Sequence, residues 1–171
     1  MRRKIVILVL GLIILIGLGS LVKIPTLQIK LQGSDQTVFQ ISMLGERTFY
    51  ISFIHSVQKT PVREYYALAP ENGFLLTAVE YSSYGAGLPF LETDGHYEIR
   101  DGIFVISEMN RLVPIINLIY FDFIQYDLNY AGKVFHFSDY FSPAGELVAI
   151  VRTDQPLWQI MIDIFSRRAI P

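Results

Sequence analysis

Hydrophobic and polar positions follow two different patterns along this chain. Residues 5–22 form an apolar block without a charged side chain, which predicts one helix that is apolar on all sides. Beyond Pro25, short runs rich in Ile, Val, Phe, Tyr and Thr alternate between polar and apolar positions and are separated by glycine-containing turns. Short strands at regular spacing predict an all-β fold, either an antiparallel sandwich or a barrel-like domain.

The turn residues fix where each strand should lie. We place strands at 26–32, 36–43, 48–56, 62–69, 74–82, 96–100, 102–107, 116–128, 133–137 and 146–152. Asn72-Gly73 is the sharpest hairpin signal, because both central positions of a type I′ turn take positive φ. Within the 110–130 region, apolar residues at 112, 115, 116 and 119 could equally form one or two helical turns. Apolar residues at 158, 161, 162 and 165 have helical spacing and predict a short C-terminal helix.

The apolar block has the length of a membrane anchor. At about 1.5 Å per residue its eighteen residues span roughly 27 Å, close to the hydrocarbon thickness of about 30 Å. Three basic residues at 2–4 precede it, and positive charge favours the cytoplasmic side. We therefore predict a cytoplasmic tip at 1–4, a single-pass cell-membrane anchor at 5–22, a hinge at 23–26 and an extracytoplasmic β domain at 26–171. A signal peptide cleaved near Ser20 is the alternative.

Composition narrows the partners of the outer domain. The 171 residues suffice for one domain. Residues 2–4 hold three of the 14 basic residues, which leaves 11 against 16 acidic ones beyond them, a formal charge of −5. A weakly acidic domain argues against nucleic acid or anionic lipid as a partner. The chain has no cysteine, so its stability has to come from the core rather than from disulfides.

A hairpin at 48–69 is the most informative local feature. Alternation places Phe49, Ile51, Phe53 and His55 on one face of the first strand. A turn at 59–60 then sets His55 opposite Glu64, at the rim of an aromatic face. The predicted pairs and core residues are these: Phe53 with Tyr66 and Ile51 with Leu68, in a core of Phe49, Ile51, Phe53, Tyr66, Leu68, Val79 and Trp158.

Two short motifs carry a family resemblance. His55-Ser56-Val57, followed by Pro61-Val62 and Glu64, precedes a second motif, Ser82-Ser83-Tyr84-Gly85-Ala86-Gly87-Leu88-Pro89. From about Thr48 to Pro89 the chain resembles the bacterial family called domain of unknown function 1850. Genes of that family often lie beside the membrane subunit of TAXI-type TRAP transporters. The resemblance implies an accessory protein of such a system that binds a protein or a ligand.

The resemblance implies the transporter's membrane subunit or its solute-binding protein as partners, besides membrane lipid around residues 5–22. The candidate ligand- or partner-binding residues are His55, Glu64, Ser83, Tyr84, Gly85 and Gly87. For the His–Glu pair, a structural role, ligand contact and catalysis all remain open. Gly85 and Gly87 either permit a tight bend or offer amides to an anion. An extracytoplasmic hydrolase around His55 and Glu64 and an envelope scaffold without a ligand are the alternative functions.

No cofactor or metal is predicted. Glu92, Asp94, His96 and Glu98 alternate within seven residues, but their spacing matches neither a calcium loop nor a zinc motif. A solvated acidic hairpin is the favoured interpretation of that segment.

Overall fold

The structure is a computed structural model that describes residues 2–34, 36–82, 95–142 and 145–165, without the side chains of 12–16, 18 and 164–165. Two helices flank twelve strands in that part of the chain. They are α1 (Arg2–Leu21), β1 (Lys23–Leu31), β2 (Thr37–Ser42), β3 (Thr48–Ile54), β4 (Pro61–Leu68), β5 (Phe74–Tyr81), β6 (His96–Arg100), β7 (Ile103–Ser107), β8 (Arg111–Val113), β9 (Ile116–Tyr120), β10 (Asp127–Tyr130), β11 (Lys133–His136), β12 (Glu146–Pro156) and α2 (Leu157–Phe165).

The strands form two antiparallel sheets. The small sheet has the order β2-β1-β12-β9, and the large sheet has the order β11-β10-β3-β4-β5-β7-β6, with β8 paired to β5. Both sheets end in edge strands within the described residues, so they are open and the barrel-like alternative is wrong. The all-β prediction and the short C-terminal helix are confirmed.

One hydrophobic core joins the inner faces of the two sheets. Leu27 and Ile29 of β1 are fully buried, because alternate residues of a strand point to the same side. Phe39 of the small sheet stacks on Phe135 of the large sheet with ring centroids 6.2 Å apart. The predicted core is confirmed for Phe49, Ile51, Tyr66, Leu68 and Val79.

Two predicted core residues lie elsewhere. Phe53 is only partly buried and packs at the margin of the core. Trp158 lies on α2, outside the core cluster, where a methyl group at Gly19 of α1 would be 3.8 Å from its Cβ. Trp158 therefore belongs to the contact between the two helices.

Most predicted strands are found within two residues of their expected bounds, with four corrections. Strand β1 begins three residues early, at Lys23. The strand expected at 116–128 is divided into β9 and β10 by a 3-10 turn at Asp122–Ile124. The alternative of helical turns at 112–119 is wrong, because β8 and β9 occupy most of that stretch. Strand β8 was not predicted, and β12 extends to Pro156. The loop at 69–73 has five residues, and Gly73 has φ +85° whereas Asn72 is not in the left-handed region. The type I′ turn is therefore wrong.

The register predicted for the first hairpin is also wrong. Ile51 pairs with Glu64 and Phe53 pairs with Val62, so the numbers of facing residues sum to 115 rather than 119. The shift is even, and Phe49, Ile51, Glu64 and Tyr66 consequently remain on the predicted face. The connection at 55–60 is longer than the two-residue turn that the prediction assumed.

The N-terminal apolar block is helical, since α1 runs from Arg2 to Leu21. Among the residues that the structure describes, no helix has both the length and the apolar content needed to cross a membrane. Strand β1 begins at Lys23, and its pairing with β12 starts there, opposite Pro156. The hinge predicted at 23–26 is therefore wrong, because a residue paired in a sheet cannot serve as a flexible joint.

Candidate functional site

Glu64 places a carboxylate in the middle of an apolar row. On the inner face of the large sheet, Leu128, Ile51, Glu64, Val79 and Ile106 face one another across five successive strands. The four neighbours of Glu64 in this row are buried, and Glu64 itself is partly buried. A charged group in such surroundings is costly unless it is hydrogen-bonded.

Two tyrosines, Tyr66 and Tyr126, lie near this carboxylate. Tyr66, two residues along β4, donates its hydroxyl hydrogen to Glu64 Oε2 over 2.7 Å. Burial raises the pKa of Glu64, while the Tyr66 hydrogen bond and the charge of Arg111 act in the opposite direction. Burial, reinforced by Glu64, raises the pKa of Tyr66 and raises the pKa of Tyr126 to about 12. Both tyrosines therefore stay protonated and can act as hydrogen-bond donors.

His55 stabilises a turn rather than a strand. Its Nδ1 accepts hydrogen bonds from the backbone amides of Val57 (3.2 Å) and Gln58 (3.1 Å). Its backbone amide donates to Thr60 O, and the amide of Lys59 donates to His55 O. Because Nδ1 accepts from two amides, the neutral ring carries its proton on Nε2. Nδ1 cannot act as a general base while these two bonds persist.

The structure does not set His55 and Glu64 opposite each other. Glu64 pairs with Ile51, whereas His55 lies one residue beyond Ile54. The two backbone positions are thus four residues apart along the sheet, roughly 13 Å at about 3.3 Å per residue. The predicted His–Glu facing pair is wrong, and each residue makes its own local hydrogen bonds instead.

The remaining predicted residues are only partly within the described chain. Ser83, Tyr84, Gly85 and Gly87 lie outside the described residues, as do Glu92 and Asp94. Of the acidic hairpin, His96 and Glu98 are on β6, where Glu98 accepts a hydrogen bond from Arg100. Within the described ranges, no group of three or more His, Asp or Glu side chains could hold a metal ion.

The outer face of the large sheet carries a groove that sequence reasoning missed. Its volume is about 520 Å³, and its walls include Glu46, the turn Ala131-Gly132 and Lys133. Tyr50 and Tyr65 face each other on adjacent strands, with ring centroids 5.3 Å apart. The same cross-strand row continues with Asn129, opposite Tyr50, and Val134, opposite Asn129.

Hydrogen bonds hold the polar groups around this groove in place. Asn129 Nδ2 donates to Ser52 Oγ over 3.2 Å. The Tyr65 hydroxyl donates to Glu80 over 3.0 Å, and Glu80 also pairs with Arg63 at 3.3 Å. An aromatic surface flanked by fixed polar groups is typical of a binding surface.

The wrong register concealed this row from sequence reasoning. With facing numbers that sum to 119, Tyr50 would face Ala69, and no aromatic pair would be visible on the outer face. With the observed register it faces Tyr65. Only the length of the turn at 55–60 distinguishes the two registers, so recognising a longer turn would have revealed the pair.

The chain belongs to the family described as domain of unknown function 1850 (DUF1850). The family's sequence profile matches residues 49–137, which is just over half of the 171 residues. This range includes nearly all of the large sheet, from β3 to β11, and hence the carboxylate row and the groove apart from its edge at 46–48. Neither a curated protein nor a solved structure matches the chain.

Proposed function

We propose that this protein is a membrane-anchored accessory component of a TAXI-type TRAP transport system, with its β domain outside the cytoplasmic membrane. Family membership supports the association with transport, through the gene neighbourhood that the family resemblance implies. The anchor is supported by the uncharged block at 5–22, which follows three basic residues. The six consecutive apolar side chains from Ile5 to Leu10 are 48–72% exposed on α1, and such a helix needs an apolar environment.

The groove on the outer face of the large sheet is the observation that favours a binding role. Tyr50 and Tyr65 form its aromatic floor, and Lys133 and Glu46 contribute charges of both signs to its walls. Interfaces are enriched in tyrosine because the ring adds contact area at a low entropic cost. The partner is the membrane subunit of the transporter or its solute-binding protein.

The site around His55 and Glu64 agrees better with binding than with hydrolysis. The imidazole Nδ1 is used by two backbone amides, and the carboxylate of Glu64 accepts from a tyrosine instead of supporting the histidine. A hydrolase of the triad type requires the base to be oriented by its carboxylate and to receive the nucleophile's proton.

Co-purification from native membranes tests the proposal. The tagged chain, solubilised in mild detergent after crosslinking, should recover a subunit of the transporter. Tyr65→Ala combined with Lys133→Glu should abolish this recovery, because the double change removes half of the aromatic floor and reverses a wall charge. Leu147→Ser, on the small sheet and 48% exposed, is the matched control and should retain it.

Two outcomes would contradict the proposal in different ways. If the wild-type chain recovers no transporter subunit, the association with transport is wrong. If the groove variant recovers as much as Leu147→Ser while its far-ultraviolet circular dichroism is unchanged, the binding surface is not the groove. Release of the wild-type chain from membranes by high salt would refute the anchor.

A further inference from the structure

Helix α2 has its polar side turned inward. A surface helix of a globular domain normally buries its apolar side and exposes its polar side. In α2, Asp163 is only 8% exposed, whereas Met161 and Ile162 are 49% and 51% exposed. Among the α2 side chains that the structure describes, Ile160 is the buried apolar exception.

A glutamine network holds the inward polar side against the small sheet. Asp163 accepts hydrogen bonds from Gln40 (2.8 Å) and from Gln159 (3.1 Å). The side-chain oxygen of Gln40 in turn accepts from Gln28 (3.3 Å) and Gln155 (3.0 Å). These side chains fix how α2 is rotated about its axis, so the exposure of Met161 and Ile162 is a defined feature of the fold.

The position of α2 indicates what covers its apolar side. The backbone amide of Leu157, its first residue, donates to Val22 O over 3.0 Å, and Val22 lies between α1 and β1. Trp158 lies beside Gly19 in the last turn of α1. Helix α2 therefore begins where the apolar block of α1 ends, which is the level at which an anchor at 5–22 would leave the bilayer.

From this geometry we infer that α2 is an interfacial helix that lies on the outer surface of the membrane, with Met161 and Ile162 in the lipid. An amphipathic helix of this kind buries its apolar side about 5–10 Å into the boundary between headgroups and acyl chains. Trp158 has the amphipathic ring that is enriched at this level.

This inference rests on the membrane anchor of the proposed function and adds a second, peripheral contact with lipid. It is independent of the partner that the groove binds. The two lipid contacts would hold the β domain in one orientation above the bilayer, with β1 starting and β12 ending near the membrane surface.

Site-directed labelling provides a direct test, because the chain has no cysteine of its own. Single-cysteine variants Met161→Cys and Leu147→Cys are labelled with a fluorophore sensitive to polarity. The full chain is placed in nanodiscs of phosphatidylcholine and phosphatidylglycerol, which leave both sides of the bilayer accessible. Leu147 is the matched control, since its exposure of 48% equals that of Met161 within 1%. It also lies nine residues before Pro156 in β12, roughly 30 Å away along the strand.

The label at 161 should show blue-shifted emission and lose its quenching by iodide, whereas the label at 147 should be quenched fully. Adding Ile162→Glu should restore quenching at 161 without releasing the chain from the discs. If the chain co-elutes with the discs but both labels are quenched equally, the anchor stands and the interfacial helix is wrong. Protection at 161 that survives Ile162→Glu would come from protein packing and would equally overturn it. A chain that does not co-elute with the discs would refute the anchor itself.

Discussion

The hydrogen bond between Tyr66 and Glu64 should contribute measurable, pH-dependent stability. Tyr66→Phe removes only the hydroxyl that donates to the carboxylate over 2.7 Å, and the ring can keep its stacking on Phe49 at 5.4 Å. A hydrogen bond to a charged group contributes about 1.5–3 kcal/mol, and one between neutral groups contributes about 1 kcal/mol. We therefore expect Tyr66→Phe to lower the free energy of unfolding by about 2 kcal/mol at pH 8 and about 1 kcal/mol at pH 4.

The sign of the pH dependence follows from the raised pKa of Glu64. Burial raises it above the ordinary value of 4.5, so the folded chain binds this proton more tightly than the unfolded chain. The stability from the proton is fully present below 4.5 and is lost as the pH rises through the raised folded value. Glu64→Gln avoids the loss, because its side chain is neutral at every pH and still accepts from Tyr66. This variant should be more stable than the wild type at pH 8 and similar to it at pH 4.

Urea unfolding of the full chain in detergent, followed by circular dichroism at pH 4 and pH 8, measures both effects. In the Glu64→Gln background, Tyr66→Phe should cost about 1 kcal/mol at either pH, which leaves a coupling of about 1 kcal/mol at pH 8 alone. Tyr50→Phe on the outer face is the control and should change stability by less than about 0.5 kcal/mol. The reasoning is refuted if Tyr66→Phe costs the same at both pH values, or if Glu64→Gln destabilises the chain more at pH 8 than at pH 4.

Three further substitutions test the core, a turn and the histidine by the same unfolding assay. Ile51→Ala should lower stability by about 2–5 kcal/mol, because this side chain is 1% exposed. Leu112 is 57% exposed, so Leu112→Ala should change stability by less than about 0.5 kcal/mol. Equal losses for the two variants would contradict the assigned faces. Gly73→Ala should destabilise by at least about 1 kcal/mol, since φ is +85° and the new Cβ would lie 2.8 Å from the Cα of Pro114; a neutral effect would refute this turn geometry. His55→Leu should cost about 1 kcal/mol of stability, because two backbone amides lose their acceptor. His55→Asn should recover most of this loss, since its side-chain oxygen can accept from amides two or three residues ahead. Equal losses for the two variants would show that the turn does not depend on this acceptor.

Most strands could be predicted from the sequence because they are short β-branched or aromatic runs between glycine turns. The faces of the hairpin residues were also predictable, since successive residues alternate between the two faces of a strand. The register was wrong by an even number of residues, so each side chain stayed on its predicted face. What the sequence could not reveal was the length of the turn at 55–60. That length depends on His55 Nδ1 accepting two backbone amides, a local bond that competes with strand pairing and leaves no sign in the hydrophobic pattern.

The candidate site shows the same limit. Glu64 lies on the predicted face, but its hydrogen-bond partner is Tyr66, two residues along the same strand, rather than His55 in the turn beyond β3. The Tyr50–Tyr65 pair depends entirely on the register, and a prediction four positions out of register hides it. The face on which a residue lies can thus be predicted from alternation within one strand. The partner of that residue on the next strand can be predicted only when the length of the connecting turn is known.

Two of the corrected predictions, the hinge at 23–26 and the core position of Trp158, concern the same end of the small sheet. Sheet pairing begins at Lys23, opposite Pro156, and Leu157 is bonded to Val22 on the other side of that pair. The start of β1 and the end of β12 thus lie at the same level, where α1 ends and α2 begins. Trp158 lies beside Gly19 of α1 rather than in the core, so it links the two helices instead of the two sheets. The β domain thus joins α1 without a flexible linker, because sheet pairing begins two residues after that helix ends.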